Sequence, residues 1–306
     1  MRASARSISV RAAVRATVVA AGMLAPLLAP LRARAQDSRA DGPVLRARAL
    51  NRSAPVKMFI PSGTARVIGW DRDSIVIRGR IPASSELLVA GSDTAGYKIV
   101  VEDRDGAPSS ASRLSIYLPR RSQLALKTAD AATDVRDVGG WFYTVSGRFH
   151  IDGSMSSIEV ESMSGDIDLD ATTPWARAKT GRGHLVVRGA PGDVDASTIG
   201  GALDISTSTI AHGRFASVTG DIHYAATMAP RSLFEFSSHS GTVDFLLPRD
   251  ASAHFELSTV EGAIDNGFAQ VHPAADGVHN LQLSLGSGAA DVTVRTFKGT
   301  VRLRSR

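Results

Sequence analysis

The sequence of 306 residues contains no cysteine. Disulfide bonds are therefore excluded, and so is a lipid-modified amino-terminal cysteine. The folded core must be stable without covalent cross-links.

Three further absences narrow the class of protein. Beyond the amino-terminal segment no apolar run reaches 18 residues, so no further transmembrane helix is expected. No segment there combines a 3.6-residue apolar period with helix-capping signals, which excludes a helical fold. The eight histidines are scattered, and neither a phosphate-binding loop nor a nucleophile elbow is present. The sequence therefore indicates no reaction and no cofactor.

Residues 1–35 have the features of a signal peptide. Four arginines precede an apolar run from Ala16 to Leu31, and Ala33-Arg34-Ala35 places small residues where signal peptidase reads them. We expect cleavage after Ala35 and export to the periplasm, the cell surface or the medium. Removing the six arginines of this segment takes the formal net charge from +5 to −1, which leaves no electrostatic support for a nucleic-acid partner.

The rest of the chain is dominated by a repeat. Nine times a Ser or Thr stands three positions before a small residue. The nine corner hydroxyl residues are Thr128, Thr144, Ser162, Thr180, Thr198, Ser217, Ser238, Thr259 and Thr296. The small residues are Ala131 and the corner glycines Gly147, Gly165, Gly183, Gly201, Gly220, Gly241, Gly262 and Gly299. The step is 18 residues from Gly147 to Gly201, then 19, 21 and 21, with a first step of 16 and a last step of 37. Such a period is typical of a repeat architecture.

Each repeat predicts two short strands that meet at a corner. With the small residue numbered zero, positions −5, +2 and +4 are almost wholly apolar, and polar residues lie between them, which is the alternation of a half-buried strand. Equivalent strands stacked side by side must run parallel, and the 18-residue step leaves enough chain to travel once around a coil. We therefore predict a parallel β-solenoid (a β-helix) of about nine or ten short coils, roughly 45 Å long at about 4.8 Å per coil. An antiparallel sandwich is the rival fold, but it does not require a hydroxyl at one fixed offset.

The corner residues have a structural explanation. Glycine tolerates a positive φ and lacks a Cβ that would collide with the next coil. The hydroxyl can satisfy a backbone group at the bend, and stacked hydroxyls can bond from coil to coil.

The predicted domain organisation has four parts. After the signal peptide, residues 36–55 are expected to form a linker, and residues 56–123 a β-rich cap or small domain. Residues 124–306 form the solenoid, with an insertion at 266–279. Three arginines at 302, 304 and 306 are expected to protect the exposed edge of the last strand.

Position +3 gives the one candidate metal site. Asp204, His223 and Asp244 occupy it in consecutive repeats, so they form a surface ladder of possible ligands for a divalent ion or a sugar. A solvated outer face explains the same residues without a ligand. Three tryptophans, Trp70, Trp141 and Trp175, could stack on sugars or cover the core.

The sequence resembles the bacterial DUF4097 family, exported β-strand-repeat proteins labelled as adhesins. The resemblance is carried by the run GWDRDSIVIRG from Gly69 to Gly79, by Leu118-Pro119, and by repeats such as SMSGDIDL from Ser162 to Leu169. It covers roughly residues 56–306. The chain departs from the pattern at the 266–279 insertion and where Arg182-Gly183-His184 replaces Ser-Gly-Asp. The resemblance implies an exported all-β fold and no catalytic residues.

We therefore expect a non-enzymatic protein with a structural, adhesive or scaffold role at the cell envelope, its partner a polysaccharide or a protein. Two alternatives stay open. One is a carbohydrate-active β-helix enzyme, a lyase or a hydrolase, since the alternating Asp166, Asp168 and Asp170 supply carboxylates. The other is a periplasmic regulatory or sensor protein.

Overall fold

The computed structural model of the chain describes residues 42–104, 111–268 and 279–306. Contacts between Cα atoms divide the chain into two units, Met1–Asp37 and Ser38–Arg306, and the described residues all belong to the second. In this part of the chain every regular element is a β-strand, and no helix suited to crossing a membrane is found there.

Seven strands precede the repeats and seventeen lie within them. The first seven are β1 (Gly42–Ala49), β2 (Pro55–Ile60), β3 (Gly63–Trp70), β4 (Ser74–Ile81), β5 (Ser85–Ser92), β6 (Gly96–Asp103) and β7 (Ser112–Pro119). The others are β8 (Gln123–Thr128), β9 (Ala132–Arg136), β10 (Gly140–Thr144), β11 (Phe149–Ser154), β12 (Ile158–Ser162), β13 (Ile167–Thr180), β14 (Leu185–Thr198), β15 (Leu203–Ile205), β16 (His212–Ser217), β17 (Ile222–Tyr224), β18 (Leu233–Ser238), β19 (Val243–Leu247), β20 (Ala253–Thr259), β21 (Ile264–Asn266), β22 (Asn280–Leu285), β23 (Asp291–Thr296) and β24 (Val301–Ser305).

Two parallel stacks of strands form the two sides of the solenoid. The first stack contains the strands that run into the corners, in the spatial order β5, β6, β2, β8, β10, β12, β13, β14, β16, β18, β23, β20, β22. The second contains the strands that leave the corners, in the order β1, β4, β7, β3, β9, β11, β13, β14, β15, β17, β19, β24, β21. Strands β13 and β14 run through both stacks. The predicted all-β parallel solenoid is confirmed.

The spatial order of the coils differs from the chain order at both ends. Near the amino-terminal end, the coil β2–β3 lies between β6–β7 and β8–β9. Near the other end, β23–β24 lies between β18–β19 and β20–β21. The stack contains eleven coils, more than the nine or ten predicted. The additional coils are β2–β3 and β6–β7, which lie in the segment 56–123 that was expected to form a separate cap.

Antiparallel strands cover both stacks at the amino-terminal end of the solenoid and the first stack at the other end. Strands β5 and β4 pair antiparallel with the end coil β6–β7, and β1 extends the sheet beyond β4. At the opposite end β22 pairs antiparallel with β20. Each covers an edge that would otherwise present unpaired backbone groups to another molecule.

These placements correct two expectations. The segment 36–55, interpreted as a linker because it is polar and basic, contains β1, whose backbone pairs with β4 over its full length. Strand β24, whose arginines were expected to protect the end of the rod, instead lies inside the stack, where Arg304 pairs with Asp244 of β19. Most of the 266–279 insertion lies outside the described residues.

The core is one continuous column of inward side chains. Five aromatic rings fill the carboxy-terminal coils: Phe215, Tyr224, Phe236, Phe245 and Phe255. Their closest ring centroids, those of Phe236 and Phe245, are 4.8 Å apart at an edge-to-face angle. The column gives the coils a closely packed interior, which fixes the backbone that carries the outward side chains.

Candidate functional site

The corner hydroxyls form one file along the solenoid. In the parallel register Thr180 stands directly opposite Ser162 on one side and Thr198 on the other. The file continues through all nine residues and ends in the order Ser238, Thr296, Thr259, which follows the inserted coil. Every member is buried, with at most 7% of its surface exposed.

The hydroxyls bond to the backbone of the corner. Thr180 Oγ1 accepts a hydrogen bond from the Gly183 N–H (3.1 Å) and donates one to the carbonyl of Gly165 in the neighbouring coil (3.2 Å). In other coils the hydroxyl donates within its own corner, as Ser238 does to the Gly241 carbonyl (2.8 Å). Thr128, in the first coil of the file, has no partner for its buried Oγ1 in the described part of the chain. The file is therefore structural, because no ligand could reach it.

The corner glycines are required by close packing between coils. A Cβ placed on Gly201 would lie 1.8 Å from the carbonyl oxygen of Gly183, and the other seven meet a backbone oxygen of a neighbouring coil at 1.8–2.2 Å. None of the eight has a positive φ. Of the two reasons predicted for glycine, the collision with the next coil is the one that applies.

The residues of the candidate metal ladder are engaged by neighbouring side chains. Asp204, His223 and Asp244 do stand opposite one another in consecutive coils. Asp244 is 6% exposed and is held by the guanidinium of Arg304, while His223 Nδ1 lies 3.6 Å from its carboxylate. The Asp204 carboxylate lies 2.5 Å from His184 Nε2. Among the described residues no group of three or more ligands is arranged for a metal ion.

An aspartate fixes the first coils of the repeats to the preceding segment. Asp137 has a positive φ of 56°, accepts a hydrogen bond from the Ser154 N–H at 2.9 Å and pairs with Arg120 at 2.5 Å. Burial alone would raise the pKa of the Asp137 carboxyl, but the bonds from Ser154 and Arg120 outweigh it and hold the pKa below its usual value.

Sequence reasoning missed an exposed apolar column beside the corners. The residue directly after each corner hydroxyl points outward, and six of these are large and apolar with 38–60% of their surface exposed. We call them the corner ridge: Val145, Met163, Ile199, Val218, Phe297 and Val260. The sequence does carry a sign of this column, because position −2 is apolar in most repeats. Apolar residues also fill the buried columns, so the pattern alone does not show that those at −2 are exposed.

A groove interrupts the corner ridge at Gly181, which occupies the ridge position of its coil without a side chain. The groove has a volume of about 550 Å³, and Met163, Ile199 and Val218 form its apolar walls. Of the described residues that line it, only Glu161 carries a carboxylate.

The three tryptophans have different surroundings. Trp70 packs against Tyr117 and donates its indole N–H to the Ser74 carbonyl at 2.8 Å, so it covers the core. Trp175 is 40% exposed and borders a shallow groove of about 290 Å³ with Asp193, His212 and Leu233. Trp141 lies half-buried on the outer face of the first stack.

No protein-family model matches this sequence, and no curated protein matches it. Among solved structures, a "putative cell adhesion protein" from Clostridium sporogenes ATCC 15579 is similar at 9% identity and a TM-score of 0.23, over 87% of this chain and 100% of that one. A "putative adhesin" from Bacteroides fragilis NCTC 9343 is similar at 14% identity and a TM-score of 0.43, over 87% and 98%. Similarities this low add no argument about function, which must come from the surfaces of the protein.

Proposed function

We propose that the protein is an exported, non-enzymatic β-solenoid that binds cell-envelope material through its outer surface, in an adhesive or scaffold role. Export is inferred from the signal-peptide features of residues 1–35, and membership of the DUF4097 family from the residues that carry the resemblance. An exported protein with these features should begin at Gln36 when its amino terminus is sequenced.

The corner ridge is the observation that supports binding. Six large apolar side chains, each more than a third exposed, lie in one file on rigid coils. Exposed apolar surface of this extent costs solubility and typically marks a site of interaction. The six residues form three pairs on adjacent coils, separated by Gly181 and by His239, and the members of a pair are one strand spacing of about 4.8 Å apart. A partner can therefore make several similar weak contacts, which together give high avidity.

A catalytic role has less support from the same surface. Glycoside cleavage generally uses two carboxyl groups on either side of the bond, whereas the described lining of the groove beside Gly181 supplies Glu161 alone. On the other face, Asp168 is paired with both His150 (3.2 Å) and Arg188. The Asp168 carboxylate is therefore already engaged by its neighbours.

Co-sedimentation with purified bacterial cell envelopes tests the proposal. The parent protein should sediment with the envelopes, and the ridge variant Met163→Asp/Ile199→Asp should bind at least tenfold more weakly. The control Ser206→Asp/Ser208→Asp adds the same charge at exposed positions away from the ridge and should bind like the parent. Failure of the parent to sediment, or equal binding by the two variants, would overturn the role of the ridge.

A further inference from the structure

A second outward surface lies at the amino-terminal end of the first stack, apart from the corner ridge. Side chains of the neighbouring strands β6, β2, β8 and β10 line an open pocket of about 330 Å³ there. Its lining includes Lys57, Phe59, Lys98, Ala125, Lys127 and Trp141. We call it the lysine–aromatic pocket.

The pocket exists because a small residue lies among large ones. Ala125 of β8 stands between Lys57 of β2 and Trp141 of β10 in the parallel register. Two residues further along the same strands, on the same face, Lys127 stands opposite Phe59. The short side chain of Ala125 forms the floor, and the four longer side chains around it form the walls.

The charge of the pocket is uncompensated. The lining contains three lysines and no carboxylate, and within the described part of the chain none of the three makes an ion pair. Two other cations of this face are paired: Arg177 lies between Glu159 and Asp195, and Arg214 pairs with Glu235 at 2.8 Å. Lys179 makes no ion pair among the described residues, but it stands opposite Glu161. The pocket differs because it brings three lysines together with no carboxylate in its lining.

Two of the lysines also oppose each other. Lys98 and Lys57 are direct partners in the parallel register of β6 and β2. Like charges in this position destabilise a sheet, and a bound anion would remove the repulsion. Nothing in the packing of the strands requires two lysines here, since both side chains are exposed.

Aromatic rings provide the second half of the site. Phe59 is 39% exposed, and the Lys127 ammonium lies 5.2 Å from the centroid of the Trp141 ring. Tyr143 continues this surface, since its ring is 5.9 Å from that of Trp141 and only 13° from parallel to it. The exposed Phe59 ring offers an apolar face to the C–H face of a sugar, and the ammonium groups offer charge to a carboxylate. The half-buried Trp141 ring lines the side of the pocket.

We propose that the lysine–aromatic pocket binds an acidic polysaccharide, one whose sugar rings carry carboxylates. The Phe59 ring stacks on the sugar, the Trp141 ring contacts it from the side of the pocket, and Lys57, Lys98 and Lys127 pair with carboxylates of successive sugar units. The outermost lysines lie on β6 and β8, two strand spacings or about 10 Å apart, so the site suits a chain rather than a single small anion.

Calorimetric titration with oligogalacturonate tests the inference, and its methyl ester is the matched uncharged probe. The parent protein should bind the acid and not the ester, with an affinity that falls as salt is raised. Lys57→Gln/Lys127→Gln and Trp141→Ala should each weaken binding at least tenfold. Lys179→Gln, which removes a lysine of the same face outside the pocket, should bind like the parent. Inorganic phosphate should compete poorly because it has no face to stack.

Absence of binding, equal binding of the ester, or full competition by phosphate would overturn the inference. Unchanged binding by both pocket variants would also overturn it. The ridge variant Met163→Asp/Ile199→Asp should bind oligogalacturonate like the parent. A failed titration therefore leaves the envelope experiment unaffected, and a failed envelope experiment leaves the pocket unaffected.

Discussion

At the scale of single residues, each corner is maintained by two complementary requirements. The glycine lets neighbouring coils approach until backbone lies on backbone, as Gly201 does on Gly183. This close approach buries the glycine N–H, which then needs a partner, and in several coils the hydroxyl three residues earlier provides it. In these coils the glycine and the hydroxyl therefore complement each other.

Gly201→Ala should destabilise the protein strongly. Its Cβ would lie 1.8 Å from the Gly183 carbonyl oxygen, and backbone there cannot move without disturbing the coil. We expect a loss of about 3 kcal/mol in the free energy of unfolding, at the upper end for overpacking. The control Gly200→Ala meets no atom closer than 3.5 Å and should change stability by less than about 0.5 kcal/mol. Denaturant unfolding that gives both variants the same stability would contradict the packing explanation.

Thr180→Val and Thr128→Val separate the two uses of a buried hydroxyl. The first leaves the Gly183 N–H without its partner and should cost about 1–3 kcal/mol. The second replaces a buried Oγ1 that has no partner, so it should be neutral or stabilising. Thermal melts of the two valine variants test this directly, and an equal loss in both would show that the hydroxyls act through something other than these bonds.

Asp137→Asn should change how stability depends on pH. The pKa of Asp137 is lowered in the folded protein, so its stabilisation is complete above the unfolded pKa of about 3.9 and is lost as the pH falls through the folded value. Asparagine tolerates the positive φ of this position, so the variant mainly removes charge. The parent should be about 1 kcal/mol more stable than the variant at pH 7, with the difference shrinking below pH 4. A difference that stays constant from pH 7 to pH 2.5 would contradict this.

At the scale of elements, the sequence predicts the coils better than their order. The period of apolar columns specifies two strands and a corner per repeat, and the structure has both. The order cannot be read from the same pattern, because every coil offers nearly the same edge to every other. The 37-residue last step is explained by the β22 strand and the return of the chain into the stack.

The two surfaces differ in how far they could be predicted. The corner ridge is local, since each of its residues follows a corner hydroxyl, so the repeat alignment already contains it. The lysine–aromatic pocket is not local. It requires Lys57 and Lys98 to lie beside Ala125, and only the insertion of β2 between β6 and β8 brings them together. No spacing in the sequence carries that information.

At the scale of the whole molecule, the eleven coils form a rod about 50 Å long at the usual strand spacing. The inserted coils β2–β3 and β23–β24 each pair with a coil on both sides, so the last strand of the chain, β24, is held inside the stack. A rod of this kind presents its ridge and its pocket at fixed separations, which is what the proposed binding role needs.

The most direct test of this architecture is disulfide cross-linking at the inserted coil, in a chain that has no cysteine of its own. Ser237 of β18 stands opposite Arg295 of β23, and β23 separates it from Ser258 of β20. A disulfide needs Cα atoms about 4.4–6.8 Å apart, so adjacent strands can be joined and strands two spacings apart cannot. Ser237→Cys/Arg295→Cys should cross-link under mild oxidation, and Ser237→Cys/Ser258→Cys should stay reduced. The reverse result would mean that the coils follow chain order, and cross-linking of neither pair would mean that these strands do not stack in parallel register.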